Sequence, residues 1–165
     1  MDKLLNKIKT MKSITSLIIA ILYLIAVIIT LSLLSYKFFL AVENKVSGSN
    51  LLLACILIAG FGGSLYCLRG VYLNFCVKNQ WSTQWLPWYI IRPIVSMICG
   101  GVSYTFLKAG LLILEAKNEP DSTNLGFYAL AFIAGMNVDK FISKIEDLAQ
   151  AAWGIEKSRT SKSEN

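Results

Sequence analysis

Residues 14–34 read ITSLIIAILYLIAVIITLSLL, 21 positions without a charge. Coiled as an α-helix, that run is about 31 Å long, the thickness of one bilayer hydrocarbon core. Ahead of it, MDKLLNKIKTMKS carries Lys3, Lys7, Lys9 and Lys12 against Asp2. Behind it come Tyr36, Lys37, Phe38 and Phe39, residue types suited to the headgroup layer. A basic start before an apolar run also begins a secretory signal. This run exceeds the roughly 7–15 apolar residues of a cleavable signal, and no small-x-small site follows it, so it reads as an uncleaved anchor.

The rest of the chain repeats the pattern. Of 165 residues, 55% are apolar and 16% charged, with a net charge of +6 and a mean hydropathy of +0.57. A soluble domain carries roughly 45–50% apolar and about 25% charged residues. The excess is blocky, in bilayer-long runs separated by short polar segments. That excludes a two-domain soluble enzyme, a disordered tail and a secreted disulfide scaffold.

The second block, residues 51–68 (LLLACILIAGFGGSLYCL), stops at Arg69. The link before it is short, so the first two spans should form an antiparallel hairpin. Residues 70–89 are rich in Tyr72, Phe75, Trp81, Trp85, Trp88 and Tyr89, and are expected to lie along one membrane face. The third block opens with Arg92 and Pro93 and runs over 94–114, with Pro93 in a first helical turn, where its missing N–H costs nothing. Lys108 then falls inside the span. The fourth block, LGFYALAFIAGM at 125–136, is short; including its neighbours, 122–138 reaches the lower limit for a span, and a re-entrant hairpin is the alternative.

Charge sidedness favours four spans. Both termini then share a side with residues 69–92. That side collects Lys3, Lys7, Lys9, Lys12, Arg69, Lys78, Arg92, Lys140, Lys144, Lys157, Arg159 and Lys162 of the chain's 16 basic residues. Lys37, Lys45 and Lys117 fall opposite. The bias places both termini in the cytoplasm and the chain in an inner (plasma) membrane. Beyond Val138, apolar positions at Phe141, Ile142, Ile145, Leu148, Ala149, Ala152 and Trp153 have the spacing of an amphipathic helix, capped by Asn137 and closed by Gly154. The expected architecture is an all-α membrane protein: a basic N-terminus (1–13), a four-helix transmembrane bundle (14–138), an amphipathic helix (139–154) and a flexible tail (155–165).

Chemistry is marked by absences. With no His, triads, Cys–His dyads and His metal sites are excluded. Cys55, Cys67, Cys76 and Cys99 form no C-x-x-C pair and read as small apolar residues. The GFGG at 60–63 lies within a span and precedes no Gly-Lys-Ser/Thr, so it is no phosphate loop. No enzyme activity, no cofactor and no direct nucleic-acid site is expected. Gly60, Gly63, Gly100 and Gly101 belong to small residues four apart, which let helix backbones approach within a subunit or between subunits of a homo-oligomer. Arg69 and Arg92 are expected as a basic interface, snorkelling to headgroups or binding an acidic partner, anionic lipid or nucleotide. Lys108 shares a helix face with Gly101, Thr105 and Glu115. That face is either a cavity lining, with Thr105, Lys108 and Glu115 as its polar residues, or a snorkelling site.

The run WLPWYIIRP at 85–93, then Gly100 and Gly101, AGLL at 109–112 and FIAG at 132–135 before an amphipathic tail, resembles small multi-pass bacterial inner-membrane proteins. Some of these look like membrane effectors of anti-phage systems, retron-type and cyclic-nucleotide-triggered. The resemblance spans roughly residues 50–155 and implies a membrane-perturbing effector released by a cytoplasmic protein or nucleoprotein regulator. The alternative is a non-permeating anchor that recruits a complex through its basic face and C-terminal helix. A transporter ranks third, for want of intramembrane acids.

Overall fold

The computed structural model describes residues 2–42, 48–110 and 122–154, and among them every regular element is helical. The order is α1 (Asp2–Val42), α2 (Gly48–Tyr72), a π-helical turn (Leu73–Val77), a short 3-10 turn (Thr83–Trp85), α3 (Leu86–Lys108), α4 (Ser122–Met136) and α5 (Val138–Trp153). Among the described residues, three stretches are long and apolar enough to cross a membrane: Met11–Phe38, Asn50–Val77 and Thr83–Lys108. With 15 residues, α4 falls short of that length. It joins α5 through a single residue, Asn137, at a bend of 111°.

Helix α2 is the hub, packed against α1, α3 and α4. Gly63 faces Ser96, whereas Gly100 faces Cys55 and Ala59, so α2 and α3 run antiparallel. Cys55 meets Phe127, and Ala59 meets Gly135, so α4 runs parallel to α2. Helix α1 follows α3: Ser16 pairs with Thr83 and Tyr23 with Ile90. Buried serines find partners in their own helices, Ser64 on Gly60 O at 2.8 Å and Ser103 on Gly100 O at 2.8 Å. Such local bonds satisfy a hydroxyl where no water is at hand.

The span ends differ from those read in the sequence. Helix α2 continues past Arg69 and closes in the π turn, where Lys78 N–H donates to Leu73 O at 2.9 Å. Helix α3 starts at Leu86, eight residues before the expected 94, and is capped at Ala109; the last positions of the expected 94–114 span, 111–114, lie outside the described residues. Pro93 therefore lies inside α3, and Pro87 occupies its first turn. The first-turn rule held for the wrong proline. Both helices reach into the stretch expected to lie flat on the membrane, leaving only the connection around residues 78–85 between them. That connection is tied to α1: Trp81 Nε1 donates to Ser16 Oγ at 3.0 Å.

Helix α1 absorbs the basic N-terminus into one 41-residue helix. The amphipathic α5 forms as its spacing predicts. Gly154 ends it in a left-handed conformation (φ 68), its N–H on Gln150 O at 2.9 Å. Asn137 stands at the start of α5 without a side-chain cap.

Candidate functional site

The site begins with Arg92, one turn and a half into α3 and only 5% exposed. A guanidinium so placed needs a counter-charge, because an unpaired cation in an apolar setting has lost its hydration with nothing to offset the loss. Its Nη1 donates to Asp139 Oδ2 at 2.8 Å, across 47 positions of sequence. Its carbon centre lies 4.8 Å from the Tyr66 ring centroid and 5.0 Å from that of Trp88. Two aromatic faces and one carboxylate thus hold the cation. The Nε is buried with no hydrogen-bond partner among the described residues. This differs from the snorkelling basic interface expected of Arg92. The head turns inward because Asp139, in the first turn of α5, is brought back over α3 by the bend at Asn137.

Directly beneath, small residues let three backbones meet. Ser96 Oγ lies 2.8 Å from Gly135 O and 2.9 Å from Arg92 O, its one proton shared between the α3–α4 contact and its own helix. A Cβ on Gly135 would run into the Ala59 backbone, and one on Gly62 into the backbone of Phe132 and Met136. Gly63 leaves room for the Ser96 side chain, and Gly100 for Ala59 and Cys55. Gly60 faces Met97 and Leu31, whereas Gly101 has only ordinary contact distance to Ile56, 3.5 Å. Of the four glycines singled out in the sequence, Gly63 and Gly100 therefore close helix contacts within the chain. Gly60 is tight against flexible side chains, and Gly101 is peripheral. Gly62 and Gly135 were missed, although Ala131 and Gly135 show the same four-residue spacing of small residues.

Arg69 stays exposed and lines a cleft of ≈ 590 Å³ with Tyr66, Gly70, Lys78, Trp85 and Trp88 among its walls. An aromatic chain links this cleft to the buried Arg92: Tyr66 and Trp88 are 5.9 Å apart, and Trp88 meets Tyr89 edge-on at 5.2 Å. Tyr89 stacks on Trp81 at 5.4 Å and accepts from Asn74 Nδ2 at 3.0 Å.

Two of the three expected lining residues, Thr105 and Lys108, lie away from these features. Lys108 sits in the last turn of α3, exposed, its Nζ donating to Tyr104 Oη at 3.1 Å. A cation there also meets the negative end of the helix dipole. Thr105 is exposed, with its hydroxyl on Val102 O at 2.8 Å. Glu115 lies outside the described residues. No group of His, Cys, Asp and Glu side chains able to hold a metal ion occurs among the described residues. Compared with known proteins, the chain matches no family model, no curated protein and no solved structure.

Proposed function

We propose that the chain is a polytopic membrane protein that deforms and locally weakens the bilayer. One observation supports this reading, a length mismatch built into a single bundle. Three stretches of 28, 28 and 26 residues stand beside the 15-residue α4. The shortest of the three exceeds α4 by 11 residues, about 16 Å of helix. A bilayer that matches the long helices submerges the charged first turns of α5. One that matches α4 is thinned around it. Mismatch costs fractions of a kcal/mol per Å, enough over this length to favour thinning, tilt or water entry on the α4–α5 side.

In this reading α4 is the fourth span of a thinned region, both termini are cytoplasmic in an inner membrane, and α5 lies on the surface with Ile142 and Trp153 facing lipid. Those two side chains are 43% and 62% exposed. The defence setting and the cytoplasmic regulator follow from the sequence resemblance.

The test is expression of the full chain with a membrane-potential dye, paired with dye release from vesicles holding the purified protein. Depolarisation and release are expected. A chain that inserts fully and leaves both signals at baseline would instead be a non-permeating anchor.

A further inference from the structure

We infer that the cleft beside the buried arginine is a binding site for the phosphoryl headgroup of an anionic lipid. The cleft is formed where α2, the π turn and the start of α3 diverge, and its lining holds two cations, Arg69 and Lys78, and no carboxylate. Neither cation lies in an ion pair among the described residues. Asn74 and Gln84 add amide groups, and Tyr66, Trp85 and Trp88 add aromatic walls. Guanidinium and ammonium donors with neutral amides suit a phosphodiester, which offers acceptors only and carries a negative charge. Gly70 keeps the floor low: a Cβ there would stand 3.2 Å from Tyr89 Oη.

The surroundings favour a lipid over a soluble anion. Leu65 lies one turn below Arg69 on α2 and is 54% exposed, as is Ile91 near the start of α3. Apolar surface therefore lies beside the helix turns that carry the cations. Trp85 and Trp88 are 44% and 40% exposed, the half-wet placement of tryptophan at headgroup depth. A volume of ≈ 590 Å³ accommodates a headgroup and leaves the acyl chains on the helix surface. The site requires only that the chain be embedded in a membrane. It stands even if the vesicles of the leakage assay stay sealed.

The experiment places the purified full chain in zwitterionic phosphatidylcholine nanodiscs and reads tryptophan quenching by brominated lipids. Brominated phosphatidylglycerol should quench at a several-fold lower mole fraction than brominated phosphatidylcholine. Each basic residue near an anionic surface contributes up to about a fivefold preference, so R69Q/K78Q should lose most or all of that difference. K140Q/K144Q removes the same charge from α5 and should keep the preference. Equal quenching by both lipids in the parent chain overturns the proposal. So does an equal loss in K140Q/K144Q, which would reduce the effect to overall charge. Full displacement of the brominated lipid by millimolar inorganic phosphate would assign the cleft to a soluble anion and overturn the lipid reading.

Discussion

At the residue scale, Arg92 and Asp139 form an asymmetric pair. The arginine side chain is 5% exposed and the aspartate 75%. Removing the aspartate strands a buried cation, whereas removing the arginine leaves a carboxylate already open to solvent. Asp139→Ala is therefore expected to cost about 1.5–3 kcal/mol, the range for hydrogen bonds to charged groups. Arg92→Met keeps the stem between Tyr66 and Trp88 and strands no charge, so it should cost less. The double variant should be no less stable than Arg92→Met alone. Thermal unfolding of the four proteins in one detergent gives the cycle, and additive losses would mean that the pair is not coupled. The same residue shows where the sequence misled. Arginine beside an apolar run reads as an end marker, because its cost in lipid is read without its partners. Those partners are two rings and a carboxylate 47 positions away, and no periodicity encodes that distance.

At the element scale, the α2–α3–α4 contact depends on absent side chains. Gly135→Ala should destabilise the chain by at least the ~1–3 kcal/mol typical of overpacking, because the obstacle is the Ala59 backbone, which cannot rotate aside. Gly63→Leu should do the same against Ser96. Gly101→Ala, with Ile56 at 3.5 Å, should be tolerated. Resistance to proteolysis in native membranes ranks the three, and the packing account fails if Gly101→Ala is as sensitive as Gly135→Ala. Much of this level was legible in the sequence. A 21-residue uncharged run needs only its own composition to be read as a span, and α5 announces itself by its spacing. The ends were not legible. Helix α2 passes Arg69, whose exposed head keeps access to water or headgroups, and α3 begins early because Pro87, not Pro93, suits a first turn. The end of α3 was not legible either: the helix stops at Lys108 and is capped at Ala109, within the run that reads as a continuous span.

At the scale of the whole molecule, direction and charge make separate statements about topology that can be set against each other. Packing makes α1 and α3 parallel, α2 antiparallel to both, and α4 parallel to α2. The start of α4 is therefore at the Lys108 end of the bundle, and its finish points toward the end that carries Ser13, Trp81 and Arg69. Gly135 reaches the level of Ser96, ten residues after α3 begins, so α4 stops about 15 Å short of the start of α3. Arg92 and Asp139 sit where it stops. In the proposed topology the charge bias assigns the same end to the cytoplasm, since the four N-terminal lysines of α1 and Lys140 and Lys144 of α5 lie there. Both arguments agree only if the bilayer meets α5 below the aromatic cluster of Trp81, Trp85 and Trp88. Reporter fusions after Asn118 and Asn165 should then report opposite sides, periplasmic and cytoplasmic. Cysteine labelling should find position 139 accessible to a membrane-impermeant reagent from the cytoplasmic side only. If both fusions report the same side, α4 enters and returns without crossing, and the mismatch it creates lies within one leaflet.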